Sequence, residues 1–235
     1  MVTTSSLYVC SDERLAEFCH DCLSVEERER AERYTSIEDT NRFVLSRSLL
    51  NYALRQHLPG ASPASLQIAT TDKGKPYLKA PFDRVAISIS HTPGLVAVCI
   101  SDANTCGVDL ESLDRVMGVE GLSARYLSLA EQEWLQAHKP AERRHAFLKL
   151  WTLKEAYLKA LGLGISVPLN ALTFSWGESI RLECAEPSMQ ALDHWVFDQR
   201  ILPSGHLLAV AQEGPCSELE LIEVTLGDDG FSAKH

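Results

Sequence analysis

Two short runs place acidic and basic residues at spacings that suit chemistry. In GVDLE, residues 107–111, Asp109 and Glu111 sit two apart on a strand-like stretch, so both carboxylates point to one face. Two such anions repel unless they are solvated or share a cation. Hard oxygen ligands of this kind suit Mg²⁺, which takes one or two carboxylates together with phosphate and water. The same spacing also describes an ordinary solvated strand face. The second run is WTLKEAYLK, residues 151–159. On a helix, Trp151, Glu155 and Lys159 share one face and Lys154 stands beside Glu155. Alone, this is a surface ion-pair face worth a few tenths of a kcal/mol. Joined to Asp109 and Glu111, Glu155 becomes a third carboxylate on one metal, with Lys154 and Lys159 gripping phosphate. Such a set would neutralise a pyrophosphate and stabilise charge growing on a leaving phosphate.

Other polar residues carry weaker signals. Ser90 and His91 are adjacent on a strand and face opposite ways, so they make a poor nucleophile–base pair. His91, just before a turn, suits anion binding or packing. Lys75-Pro76 reads as a turn. Arg30, Arg33, Arg42 and Arg47 form a basic series, with Glu27, Glu29 and Glu32 interleaved. Seven scattered cysteines and no export signal argue for reduced thiols. The Cys19–Cys22 pair imitates a metal motif, but no second pair completes four ligands.

The elements that must position these groups follow from periodicity and turn chemistry. LYVC (7–10) is a short strand candidate. Helical pattern runs over 24–57, opened by a Ser24–Glu27 capping-box spacing and closed by PGASPAS. LQIATT and DKGKPYL read as a strand, a turn and a short extension. Residues 85–101 hold two strands joined by HTPG, and CGVDLE returns as another, so an antiparallel meander occupies the middle of the chain. Helix resumes over 119–162, broken at Pro140 and closed by Gly162. Strand candidates follow at 180–184, 194–200, 206–212 and 219–226. Helices, meander, helices, meander predict an α+β protein of two similar lobes, although no internal sequence repeat is visible.

The chain has 235 residues and a net charge of −10, which opposes broad nucleic-acid binding but permits a local basic pocket. No segment is long and apolar enough to span a membrane, and the first residues lack the features of a secretory signal. A cytoplasmic protein is the expectation.

Four blocks in order, GKP (74–76), SISHT (88–92), GVDLE (107–111) and WTLKEAYLKALGLG (151–164), resemble the signature of the 4′-phosphopantetheinyl transferases, in their long, single-chain Sfp-type branch. The resemblance runs from about residue 23 to 169. It implies a pseudo-twofold pair of α+β lobes, each a small antiparallel sheet packed with helices. The first (1–104) would hold the adenine and 3′-phosphate side of coenzyme A, and the second (105–235) the metal and catalytic residues. It implies transfer of the phosphopantetheine arm of coenzyme A to a serine of an apo carrier protein, releasing adenosine 3′,5′-bisphosphate. Asp109, Glu111 and Glu155 would be the Mg²⁺ ligands. Lys154 and Lys159 would hold phosphates, and His91 would contact a coenzyme A phosphate. Lys75, Pro76 and Ser90 would border the adenine end. Arg30 and Arg47 would serve the 3′-phosphate, where Glu27 and Phe43 depart from the residues some members carry.

Glu155, or a water activated by the metal, is the base candidate, with Asp109 and Lys159 as its catalytic companions. The expected partners are coenzyme A and an acyl or peptidyl carrier, met by a monomer without nucleic acid or membrane. Fatty-acid, polyketide and nonribosomal-peptide carriers all stay open. RYLSLAEQEWL (125–135) is the candidate carrier-facing patch. Rival readings are a metal-dependent phosphodiesterase or nuclease, and a non-catalytic carrier-binding module on the same scaffold.

Overall fold

The computed structural model describes residues 3–11, 23–62, 65–164, 167–184, 194–214, 216–227 and 230–234. The Cys19–Cys22 pair lies outside them. The first half runs β1 (Thr3–Cys10), α1 (Val25–Ala31), α2 (Ile37–His57), β2 (Ile68–Thr70), β3 (Pro76–Leu78), β4 (Ala86–Thr92) and β5 (Leu95–Ser101). The second runs β6 (Thr105–Ser112), α3 (Val119–Tyr126), α4 (Leu129–Gln136), α5 (Arg143–Leu161), β7 (Leu172–Trp176), β8 (Ile180–Cys184), β9 (Trp195–Ile201) and β10 (His206–Glu213). β11 (Cys216–Gly227) and β12 (Gly230–Ala233) follow.

Each half is a strand, then helices, then a small hairpin, then a larger hairpin. Each sheet also has the same order, with the first strand beside the last: β1-β5-β4 in one and β6-β10-β9 in the other. This is the α+β, two-lobed architecture, repeated in topology without a repeat in sequence. β11 then returns to the first sheet and pairs with β1 in parallel, with β12 on its far side.

Local chemistry accounts for the helix ends. Ser24 and Glu27 form a reciprocal capping box at α1, and Ser128 and Glu131 form another at α4. Ser36 caps α2. Gly162 ends α5 at φ 66°, a left-handed conformation that glycine adopts without a Cβ penalty.

The expected central meander differs in one respect. β4 and β5 form a hairpin, but β6 leaves them and pairs with β10. Burial on both faces explains why β5 reads as an unbroken apolar run. Val96, Val98 and Ile100 pack towards α2, while Leu95, Ala97 and Cys99 pack with Val108, Leu110, Leu208 and Val210 of the other sheet. The two sheets thus meet through an apolar layer, and each carries a long helix outside it.

On β6 the period of two sends Cys106, Val108 and Leu110 into that layer. Gly107, Asp109 and Glu111 take the opposite face, towards α5. A Cβ at Gly107 would collide with the Ala156 carbonyl oxygen and the Ala160 amide. Gly107, with Ala156 and Ala160 one helical turn apart, therefore lets α5 lie directly on β6.

Candidate active site

That close approach sets the acidic pair of β6 beside the helix that carries Glu155 and Lys159. Asp109 is 5% exposed and Glu111 7%. Asp109 Oδ1 accepts from Lys159 Nζ at 2.7 Å and from Ser90 Oγ at 3.2 Å. Glu111 Oε1 accepts from Trp151 Nε1 at 3.1 Å and from the Arg115 guanidinium. Asp109 Oδ2 and Glu155 Oε1 are buried without a hydrogen-bond partner, the only such carboxylate oxygens among the described residues. Burial, then the negative charge of Asp109, pushes the Glu155 carboxyl above its ordinary range; Lys159 opposes the shift and Glu111 adds to it.

A cavity of about 760 Å³ opens over this group. Its wall includes Arg42, Ser90, His91, Asp109, Glu111, Arg115 and Lys159; Glu155 is not part of it. His91 lies exposed on the rim. Partial burial of the ring, then the charges of Lys159 and Arg42, holds its imidazole below the usual histidine range. Arg42 is paired with Asp39. The site thus offers the Asp109 and Glu111 carboxylates and the cations Arg42, Arg115 and Lys159 around open space, with the Glu155 carboxyl near Asp109.

The donor set fits a hard divalent cation. Two buried carboxylate oxygens lack partners, and the charge of Asp109 raises the neighbouring carboxyl, a repulsion that a cation would relieve. The ligands are not assembled as a cluster: among the described residues, no three His, Cys, Asp or Glu side chains already converge as metal ligands. Lys159 and Arg115 hold Asp109 and Glu111 instead.

Lys154 corrects an expectation. It is wholly buried, and its ammonium donates to the carbonyls of Leu169 and Leu172, both at 2.7 Å, and pairs with Glu131 at 2.6 Å. Burial pushes its pKa down, and Glu131 opposes the shift. With three donors committed, it cannot grip a phosphate. The cause is helical geometry: adjacent residues diverge by about 100°, so Lys154 enters the core while Glu155 faces β6.

Lys75 and Pro76 also stand apart from the carboxylates. The Lys75 ammonium donates to Thr105 Oγ1 at 2.6 Å and to the Ala160 carbonyl, closing the last turn of α5. Arg30 and Arg47 line a second cavity of about 930 Å³ with Arg33, Arg55, Lys79 and Glu27. There Arg47 Nε lies 3.4 Å from Glu27 Oε1, and the guanidiniums of Arg30 and Arg47 both cover the Phe43 ring.

The candidate carrier-facing segment divides. Leu127, Leu135 and Glu131 are buried, Trp134 stacks on Trp176, and Leu129 is 79% exposed. Arg115 and Trp151 were missed as partners of Glu111, and Arg42 as part of the cavity wall. Of these, Arg115 stands four residues beyond Glu111, a spacing that could have flagged it.

Comparison with known proteins bears on this arrangement. A family model described as the 4′-phosphopantetheinyl transferase superfamily matches residues 105–211. A second, for the N-terminal part of 4′-phosphopantetheinyl transferase, matches residues 11–103. A 4′-phosphopantetheinyl transferase from Bacillus subtilis is 32% identical, over 64% of this chain and 65% of the relative. The transferase HetI from Nostoc is 32% identical, over 61% of each. A putative 4′-phosphopantetheinyl transferase from Synechocystis is 33% identical, over 72% of this chain and 70% of its own length. The chain spans a little under two thirds of the first two relatives. The two family models meet between β5 and β6 and together take in every residue of the carboxylate site, so the chain belongs to the 4′-phosphopantetheinyl transferase superfamily.

Proposed function

We propose that this chain transfers the 4′-phosphopantetheine arm of coenzyme A to a serine hydroxyl of an apo carrier protein, in a reaction dependent on Mg²⁺. The observation that carries the proposal is the meeting of Asp109, Glu111, Glu155 and Lys159 beside an open cavity, with two buried carboxylate oxygens unpartnered. The names of the relatives support it.

The serine oxygen attacks the phosphorus that bears the pantetheine arm. The bond from that phosphorus to the bridging oxygen breaks, and adenosine 3′,5′-bisphosphate leaves with the electron pair. Catalysis of such a step is mainly positioning, charge neutralisation and proton removal. Asp109, Glu111 and Glu155 would hold the cation, which when bound neutralises the diphosphate. Lys159, on the cavity wall, meets phosphate oxygens, and His91 and Arg42 face the same space from the other lobe. Glu155, or a water activated by the cation, would take the serine proton. Exposed Val116, next to Arg115, and Leu129 supply apolar contacts for the carrier.

The test is incubation with coenzyme A, Mg²⁺ and a panel of apo carriers. The carrier is expected to gain the mass of one phosphopantetheine arm. No gain on any carrier, with cleavage of nucleic acid instead, would overturn the proposal in favour of a phosphodiesterase. Work in the cytoplasm, as a monomer, completes the proposal.

A further inference from the structure

β4 and β6 run side by side but belong to different sheets. Side chains join them where a ladder would. The amide of Val108 donates to Ser88 Oγ at 3.0 Å, and the amide of Leu110 donates to Ser90 Oγ at 3.1 Å. Serines two apart on one strand thus meet amides two apart on the other, and two hydroxyls replace the carbonyls of a strand pair.

The two serines are equally buried, at 4% exposure, and they are not equivalent. Ser88 Oγ receives the Val108 amide. Ser90 Oγ receives the Leu110 amide and the Lys159 ammonium, the latter at 2.8 Å, and gives its own proton to Asp109 Oδ1. One donor and two acceptors exhaust a hydroxyl. With both lone pairs filled by N–H donors, the Ser90 proton is directed to Asp109. The hydroxyl has no further hydrogen bond to give. Asp109 Oδ1 is then doubly engaged, by Ser90 and Lys159, and Oδ2 is left buried and unpartnered.

We propose that Ser90 is a positioning residue: from one lobe it fixes which oxygen of Asp109, on the other lobe, is offered to the metal. The inference rests on the assignment of Asp109 as a metal ligand. Groups that orient a ligating carboxylate tune metal affinity although they never touch the ion.

Ser88 supplies the control, because it makes the same kind of inter-strand bond without touching Asp109 or Lys159. Mn²⁺ binding is measured by electron paramagnetic resonance on the full chain without coenzyme A, for the parent, Ser88→Ala and Ser90→Ala. Both variants are expected to lose thermal stability through the missing inter-strand bond, Ser90→Ala the more. Only Ser90→Ala is expected to weaken Mn²⁺, by about 10-fold or more. Its kcat should fall further than its KM for coenzyme A rises. Ser90→Cys keeps the shape with a weak donor and should behave like Ser90→Ala, which covers a failure of the alanine variant to fold. Equal Mn²⁺ affinity in the Ser88 and Ser90 variants would overturn the proposal, as would a parent chain that binds no Mn²⁺. A parent that binds Mn²⁺ yet modifies no carrier would refute the transferase assignment while leaving the Ser90 comparison decisive.

Discussion

Lys154 Nζ lies 2.6 Å from Glu131 Oε2, and neither side chain reaches solvent. The pair ties α5 to α4, and Glu131 also accepts from the Phe174 amide of β7 at 2.9 Å. Removing one partner of such a pair leaves the other charge buried, at a cost of about 3 kcal/mol or more. Lys154→Met should therefore lower the unfolding free energy obtained from urea titration by that much. Lys154→Met with Glu131→Gln should recover part of the loss, since no lone charge remains. KM for coenzyme A at a temperature where the single variant is folded should stay near the parent value. A stable Lys154→Met variant with a sharply raised KM would return the residue to the phosphate site.

Gly107 separates a packing effect from a chemical one. Gly107→Ala puts a methyl group into the α5 backbone at Ala156 and Ala160, so the helix must move. A shift of about 1 Å between catalytic groups can cost on the order of 100-fold in rate. The variant should retain its far-ultraviolet circular dichroism and lose most of its turnover. Parental activity would mean that α5 does not need this contact to align Glu155 and Lys159.

The raised Glu155 carboxyl has consequences for both rate and stability. Turnover needs Glu155 ionised, as metal ligand or as base, so kcat should climb with pH along an acid limb. For stability the sign is opposite. A folded-state pKa above the unfolded one favours the protonated native form, an advantage complete below the unfolded value and lost as pH rises through the folded one. Glu155→Gln mimics the protonated state. Its melting temperature should therefore gain on the parent as pH increases from about 4 to 8, while turnover falls by roughly 100-fold or more. A gap that shrinks with rising pH would contradict the assignment.

Lys159 holds a positive charge beside the proposed metal ligands, its Nζ 2.7 Å from Asp109 Oδ1. Lys159→Met removes that charge, which repels a cation, and leaves the Ser90 contact to Asp109 in place. Mn²⁺ should bind at least as tightly, while kcat falls about 100-fold or more through loss of a charge facing the phosphates. Parallel loss of metal binding and turnover would show that Lys159 supports the carboxylates rather than the substrate.

Much of this is legible in the sequence. The capping box at Ser24 and the closing Gly162 are local events, set by residues within one helical turn; the matching box at Ser128 has the same spacing and went unread. The shared face of Asp109 and Glu111 follows from the strand period alone. Two things were not local. Sequence pattern could not show that β6 deserts β5 for β10, because an apolar strand is compatible with either neighbour. Nor could it separate Lys154 from Lys159, since two lysines flanking one glutamate look alike until the helix acquires a buried side. The role of Ser90 was hidden for the same reason: its partners come from the other lobe.

The parallel pairing of β1 with β11 has a bearing on how the chain acquires its shape. Thr3 meets Cys216 and Cys10 meets Val224, so the first strand waits for partners roughly two hundred residues away. During synthesis from the N-terminus, β1 can find β5 early, but its other edge stays open until β11 has emerged. An exposed edge of that kind invites pairing with other chains. The first lobe is thus completed last, and a fragment that stops short of β11 would carry an adhesive border the intact molecule covers.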